Sequence, residues 1–168
     1  MKTFTILGLT AVAAFSVAQM SQTDTSKPMP VDLNYARAAS ASNTFEIRSS
    51  QLALMKGRSA MVKKHARMMI KDHTAAQAKL KAITAAAGAP VKDMLMPDQA
   101  AMMAKLERLN GRAFDREYTM GQIVGHKKTL ATIKAYLGKG KHEGLLGYAR
   151  NSEPVVAMHL DHAKMHRM

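Results

Sequence analysis

Apolar positions between residues 60 and 87 recur at Val62, Ala66, Met69, His73, Ala76, Leu80, Ile83 and Ala87, spaced 4-3-4-3-4-3-4. That repeat places all eight on one helical face; only His73 interrupts its apolar character. Lys63, Lys64, Arg67, Lys71 and Lys81 fall on the outer side, and Gly88 followed by Pro90 ends the segment. The same reading predicts a first helix from about Asn34 to Lys56, stopped at Gly57. A third is expected from about Asp98, placed to cap it, to Leu137, where Gly138-Lys139-Gly140 breaks the pattern. A last segment covers about Lys141 to His166 and is expected to be interrupted at Pro154, because Ser152-Glu153-Pro154 has the form of a fresh helix start. No run of alternating β-branched residues argues for a strand. Short connections between long helices make neighbours antiparallel, so residues 34–168 are expected to form an all-α, up-down four-helix bundle.

The two ends of that domain differ from it. Lys2, the uncharged apolar run Ile6 to Val17 and the small residues of Ser16-Val17-Ala18 predict a signal peptide over 1–18, too short and too weakly apolar to span a bilayer. The protein is therefore expected to be periplasmic or otherwise exported, and soluble after cleavage. Residues 19–33 are polar and contain two prolines, which reads as a flexible arm. The chain has no cysteine, which excludes thiolate zinc sites, iron–sulfur clusters, CxxC redox chemistry and a lipoprotein anchor. Its 15 methionines are expected mainly as flexible core fillers.

The polar residues on inner faces carry the chemical interest. On the third helix Asp115, Tyr118, Gln122 and His126 are spaced 3, 4 and 4, in one sector with Ile133 and Leu137. Polar groups on an inward face must satisfy one another or hold something. Counting the ~1.5 Å rise from each turn puts Glu46, His73, Asp115 with Tyr118, and His159 near one level, one group per helix, with His126 up to about two turns away. Inward ligand-type side chains from four helices are how bundle metal sites are built.

Glu46 with Leu52-Ala53-Leu54, Met69-Ile70-Lys71-Asp72-His73, Gly111 with Phe114-Asp115 and Tyr118, His126, and Pro154 with His159-Leu160 and Ala163 together resemble the bacterial family named domain of unknown function 4142. The likeness covers roughly Ala39 to Lys164. It implies export and a ferritin-like bundle, and it implies no activity. A di-iron oxidase is disfavoured by the residues themselves: none of the 12 acidic residues is followed three positions later by histidine. Three histidines and a carboxylate suit copper, zinc or mononuclear iron better.

A second candidate lies at the C-terminus, where His159, His162 and His166 share one side of the last helix among Met158, Met165 and Met168, a donor set suited to copper. The formal charge of +13 is spread over all helices without interleaved aromatics, which argues against nucleic acid and fits a solvated basic surface or attraction to an anionic envelope. No nucleophile–histidine–acid set, phosphate loop or nucleotide fingerprint is present. The expectation is thus an exported binding protein, with metal, copper first, as its ligand and a part in envelope stress or metal handling. A basic envelope-associated structural protein without metal is the alternative, and a mononuclear-metal redox enzyme ranks below both. The sequence leaves oligomeric state open.

Overall fold

The computed structural model describes residues 26–165. The signal-peptide segment, His166 and Met168 lie outside them. Among the described residues the chain is all-helical: α1 (Pro30–Lys56), α2 (Ala60–Ala86), α3 (Pro97–Glu107), α4 (Gly111–Leu137) and α5 (Glu143–Met165), with no strand. No helix among the described residues is long and apolar enough to cross a membrane.

Each long helix packs against two others, in the cycle α1–α2–α5–α4, and α3 lies across α1 and α4. Cross-helix hydrogen bonds give the directions. Asp32 at the start of α1 meets Tyr136 near the end of α4, and Ser50 meets Tyr118 further along, so α1 and α4 are antiparallel. The segment after α2 returns alongside α1, since the Lys92 carbonyl meets Ser40 and the Glu107 carbonyl meets Lys56. That return lets α2 and α4 run the same way, as the successive contacts Ser59–Asp115, His65–Gln122 and His73–His126 show, so the long helices depart from the simple up-down order expected of short connections.

Four other expectations need correction. The expected third helix is two, because Leu109-Asn110-Gly111 turns the chain and Gly111 adopts a φ of +57°, a left-handed conformation that only glycine takes freely. Gln99, whose side chain accepts from the Met96 N–H, takes the capping place given to Asp98, which pairs instead with Lys128. Helix α1 starts at Pro30 rather than Asn34: residues 30–33 of the expected arm form its first turn, held by Asp32, whose side chain is fully buried and accepts from the Met29 N–H at 2.8 Å. Finally, α5 runs unbroken through Pro154. Pro154 and Arg150, whose carbonyl loses its helical partner there, both lie toward the solvent side, so the defect faces water while Val156, His159 and Leu160 hold the inner face.

The apolar interior is divided. One cluster gathers Leu80, Ile133, Leu145, Tyr148 and Val156 near the start of α1; another gathers Ala53, Val62, Ala66, Leu106, Phe114 and Tyr118 near its end. Of the methionines only Met69 and Met103 are buried core among the described residues, against seven exposed, so core filling is not their main role. Small residues already close the helix contacts in the interior, as the fully buried Ala36, Ala41, Ala53, Ala66 and Ala149 show.

Candidate metal centre

Between these two of the three apolar clusters among the described residues, the third being Ile123, Leu160 and Ala163, lies a polar layer. From α1 it takes Asn43 and Glu46, from α2 His65 and His73, from α4 Gln122 and His126, and from α5 His159, all buried. Periodicity explains the placement. His73 keeps the α2 seam, and His126 lies one turn beyond Gln122 on the inward stripe of α4.

Three imidazoles meet in this layer. Ring centroids are 5.3 Å apart for His73 and His159, 5.5 Å for His126 and His159, and 5.9 Å for His73 and His126, nearly an equilateral triangle. One nitrogen from each ring lies within 4.8 Å of its counterparts on the other two.

The hydrogen bonds fix how each ring is protonated. The Asn43 amide nitrogen donates to Gln77 Oε1 and to the Tyr148 hydroxyl, both at 3.0 Å, so its Oδ1 accepts from His73 Nδ1–H at 2.9 Å. His126 Nδ1–H donates to the Gln122 carbonyl at 2.8 Å. His159 Nε2–H donates to Asp72 Oδ2 at 3.0 Å. Each ring thus spends one nitrogen on an oxygen acceptor, and His73 Nε2, His126 Nε2 and His159 Nδ1 are left buried without a hydrogen-bond partner. A nitrogen whose neighbour is so committed carries its lone pair, the state in which imidazole binds metal.

Electrostatics work in the same direction. Burial pushes the His73 imidazolium well below its ordinary range, with the neighbouring His126, His159 and His65 adding to the effect. Burial takes His126 down to about 4, and it also lowers His159 despite the opposing pull of Asp72. All three are therefore neutral at pH 7, with lone pairs free.

Glu46 sits beside this triangle and outside it. Its Oε2 accepts from Gln122 Nε2 at 2.6 Å, and Oε1 lies 3.7 Å from His126 Nδ1, the nitrogen already committed to a carbonyl. Burial pushes its carboxyl up to about 8, partly offset by the Gln122 amide. The Gln122 side chain continues outward, its Oε1 accepting from His65 Nε2–H at 3.2 Å.

The remaining candidates are elsewhere. Asp115 closes the α1–α2 turn: it accepts from the Arg58 N–H at 3.1 and 3.2 Å and from the Ser59 N–H at 2.9 Å. Its carboxylate occupies the space a side chain at Gly57 would need, since a Cβ there would stand 2.9 Å from Oδ1. Tyr118 exchanges a 2.8 Å hydrogen bond with Ser50. Neither joins the triangle, and His126, expected up to about two turns away, does. The terminal stripe divides as well: His159 points inward and is fully buried, His162 is only half-buried, and His166 falls beyond the described residues.

The residues missed by sequence reasoning are the ones that orient the rings. Asn43 precedes Glu46 by three positions and Asp72 adjoins His73. Helical spacing for Asn43 and the Asp-His pair for Asp72 were the available signals.

A cavity of about 610 Å³ reaches this layer. His73, His159, Asn43, Asp72 and Glu46 form part of its wall, and most of the rest is apolar. Val124, Val155 and Met158 are exposed members of the lining, so the cavity communicates with solvent.

Fold and layer together define an all-helical protein with a buried three-histidine cluster of metal-ligating form. Residues 17–165 match the model described as Domain of unknown function (DUF4142), and the chain belongs to that family. No curated protein and no solved structure matched it.

Proposed function

We propose that this protein binds one transition-metal ion through His73, His126 and His159. The observation that carries the reading is the pairing pattern: three rings from three helices, packed against one another, each with one nitrogen held by an oxygen and the other buried without a partner. A buried imidazole nitrogen without a partner is costly. One nitrogen from each of these rings lies within 4.8 Å of the other two, so a single bound cation can offset the cost of all three. Tetrahedral coordination at ~2.0–2.1 Å needs nitrogens roughly 3.4 Å apart, which small ring rotations supply.

Three neutral imidazoles without thiolate or carboxylate suit zinc, copper and mononuclear iron, and not magnesium or calcium. The Asp72 carboxylate behind His159 is the outer-shell acceptor typical of such ligands. We further read the four long helices, with the α3 return between α2 and α4, as a ferritin-like four-helix bundle, and the protein as exported and engaged in metal handling at the cell envelope. Its basic surface suits that location. Cobalt titration of the untagged apo protein tests the site. One equivalent should give the intense visible bands of a four-coordinate ion, displaced by zinc and by copper. Weak octahedral bands, or no saturation at one equivalent, would refute a three-imidazole centre.

A further inference from the structure

The three-histidine reading leaves a charge problem, and the cavity supplies an answer to it; the ligand inferred for the cavity rests on that reading. The cluster of mutually close ligating side chains contains three imidazoles and no carboxylate among the described residues. All three rings are neutral donors and the Asp72 carboxylate bound to His159 offsets one charge, so a divalent ion would keep a net positive charge between two apolar clusters. A buried charge of that kind requires a compensating anion. Three protein donors also leave at least one coordination position to be filled from outside.

The cavity determines what can fill it. Its wall contains His73 and His159, so a molecule inside it reaches the ring face of the site. Beyond them most of the wall is small or apolar, Ala39, Ala76, Val124, Ile133, Val155 and Val156 among them, and of its carboxyl groups Asp72 is held by His159, Asp98 by Lys128 and Glu46 by Gln122. Lys79 and Lys128, the latter paired with Asp98, stand in the lining as exposed cations, and Lys79 favours approach of an anion. At about 610 Å³ the space falls within the size range of small-molecule sites and exceeds what a water or a simple inorganic anion fills. We propose that the cavity binds an amphipathic monocarboxylate, its carboxylate on the histidine-held metal and its hydrocarbon tail along the apolar wall.

Head and tail then make separable contributions. Calorimetric titration of the untagged, zinc-loaded protein with hexanoate, octanoate and decanoate should show affinity rising about fourfold per added methylene, the value of burying one CH₂. Octanoate should bind the zinc-loaded protein at least tenfold tighter than the apo protein. Acetate, lacking the tail, and octan-1-ol, lacking the anion, should each bind at least tenfold more weakly than octanoate. Ala38→Phe and Val155→Phe, both on the cavity wall, should weaken octanoate at least fivefold with zinc affinity held within twofold. Zinc binding followed by equal octanoate affinity with and without metal would overturn the carboxylate–metal contact alone. Octanoate affinity unchanged in both wall variants would put the tail elsewhere and likewise overturn the proposal. Absence of zinc binding by the wild-type protein would sink the three-histidine centre and this inference with it.

Discussion

The ends of the helical interior and its middle treat buried polar groups in opposite ways. At one end Asp32 accepts from the Tyr136 hydroxyl at 2.7 Å and from the N–H groups of Lys141 at 2.9 Å, His142 at 3.2 Å and Met29. Although burial raises its carboxyl, those hydrogen bonds together hold it below the usual carboxylate range. At the other end Asp115 ties the Arg58 and Ser59 N–H groups in the same manner. Both carboxylates do a turn's work, satisfying backbone donors that a helix end leaves over. In the middle, Glu46 has one amide donor and three imidazoles have one partner each. Complete pairing marks the groups that hold the fold together. Incomplete but convergent pairing marks the groups from which the proposed metal centre is read.

Breaking an end and breaking the middle should therefore have different signatures. Asp115→Ala strands the Arg58 and Ser59 N–H groups, and urea unfolding should show a loss of about 2–4 kcal/mol. Zinc affinity of the molecules that remain folded should stay unchanged. His126→Leu reverses this pattern. It removes an unpartnered nitrogen, so the apo melting temperature should hold or rise, while zinc affinity falls on the order of 100-fold, about 2.7 kcal/mol. Sharpening the middle further, Asp72→Ala keeps all three rings but frees His159 to turn, and should weaken zinc about tenfold without a large change in apo stability.

Much of this division was legible in the sequence, and the failures have physical causes. The 4-3 repeat of α2 located His73 on the inner face because a helical stripe needs no knowledge of neighbours. The depth of His126 did require them. Counting rise from the turns separated it from His159, but α4 and α5 are antiparallel and side chains lean toward the N-terminus of their own helix. The two rings lean toward each other and close to 5.5 Å. Asp115 looked like a ligand because spacing reports which face a residue is on, not which backbone donors wait there. The turn at Asn110-Gly111 carried a familiar loop signal, masked by the helical periodicity on both sides of it.

The smallest expected effect is the pH profile of the apo protein, and it too separates the two regions. As pH falls below about 6.5, the unfolded chain takes up protons at imidazoles that the folded middle keeps neutral, down to about pH 4 for His126. Apo stability should decline across that window. Glu46 has the opposite sign. The folded state keeps its proton up to about pH 8, whereas the unfolded carboxyl loses it above about 4.5, so stability falls as pH rises toward 8. Three imidazoles outweigh one carboxyl below 6.5, and Glu46 acts on the alkaline side, so the melting temperature should peak near pH 6.5. Glu46→Gln should flatten the alkaline limb and steepen the acid one. Asp32, whose carboxyl is held below its ordinary range, should contribute no slope above about pH 5.

The most direct measurement is equilibrium dialysis of the untagged protein against micromolar zinc, beside the triple variant His73→Leu, His126→Leu, His159→Leu, with helicity followed by circular dichroism. Wild type should retain one zinc per chain, and the triple variant none, while both remain equally helical. A folded triple variant that holds zinc as tightly as wild type, or a wild-type protein that holds none, would contradict a metal centre at these three rings.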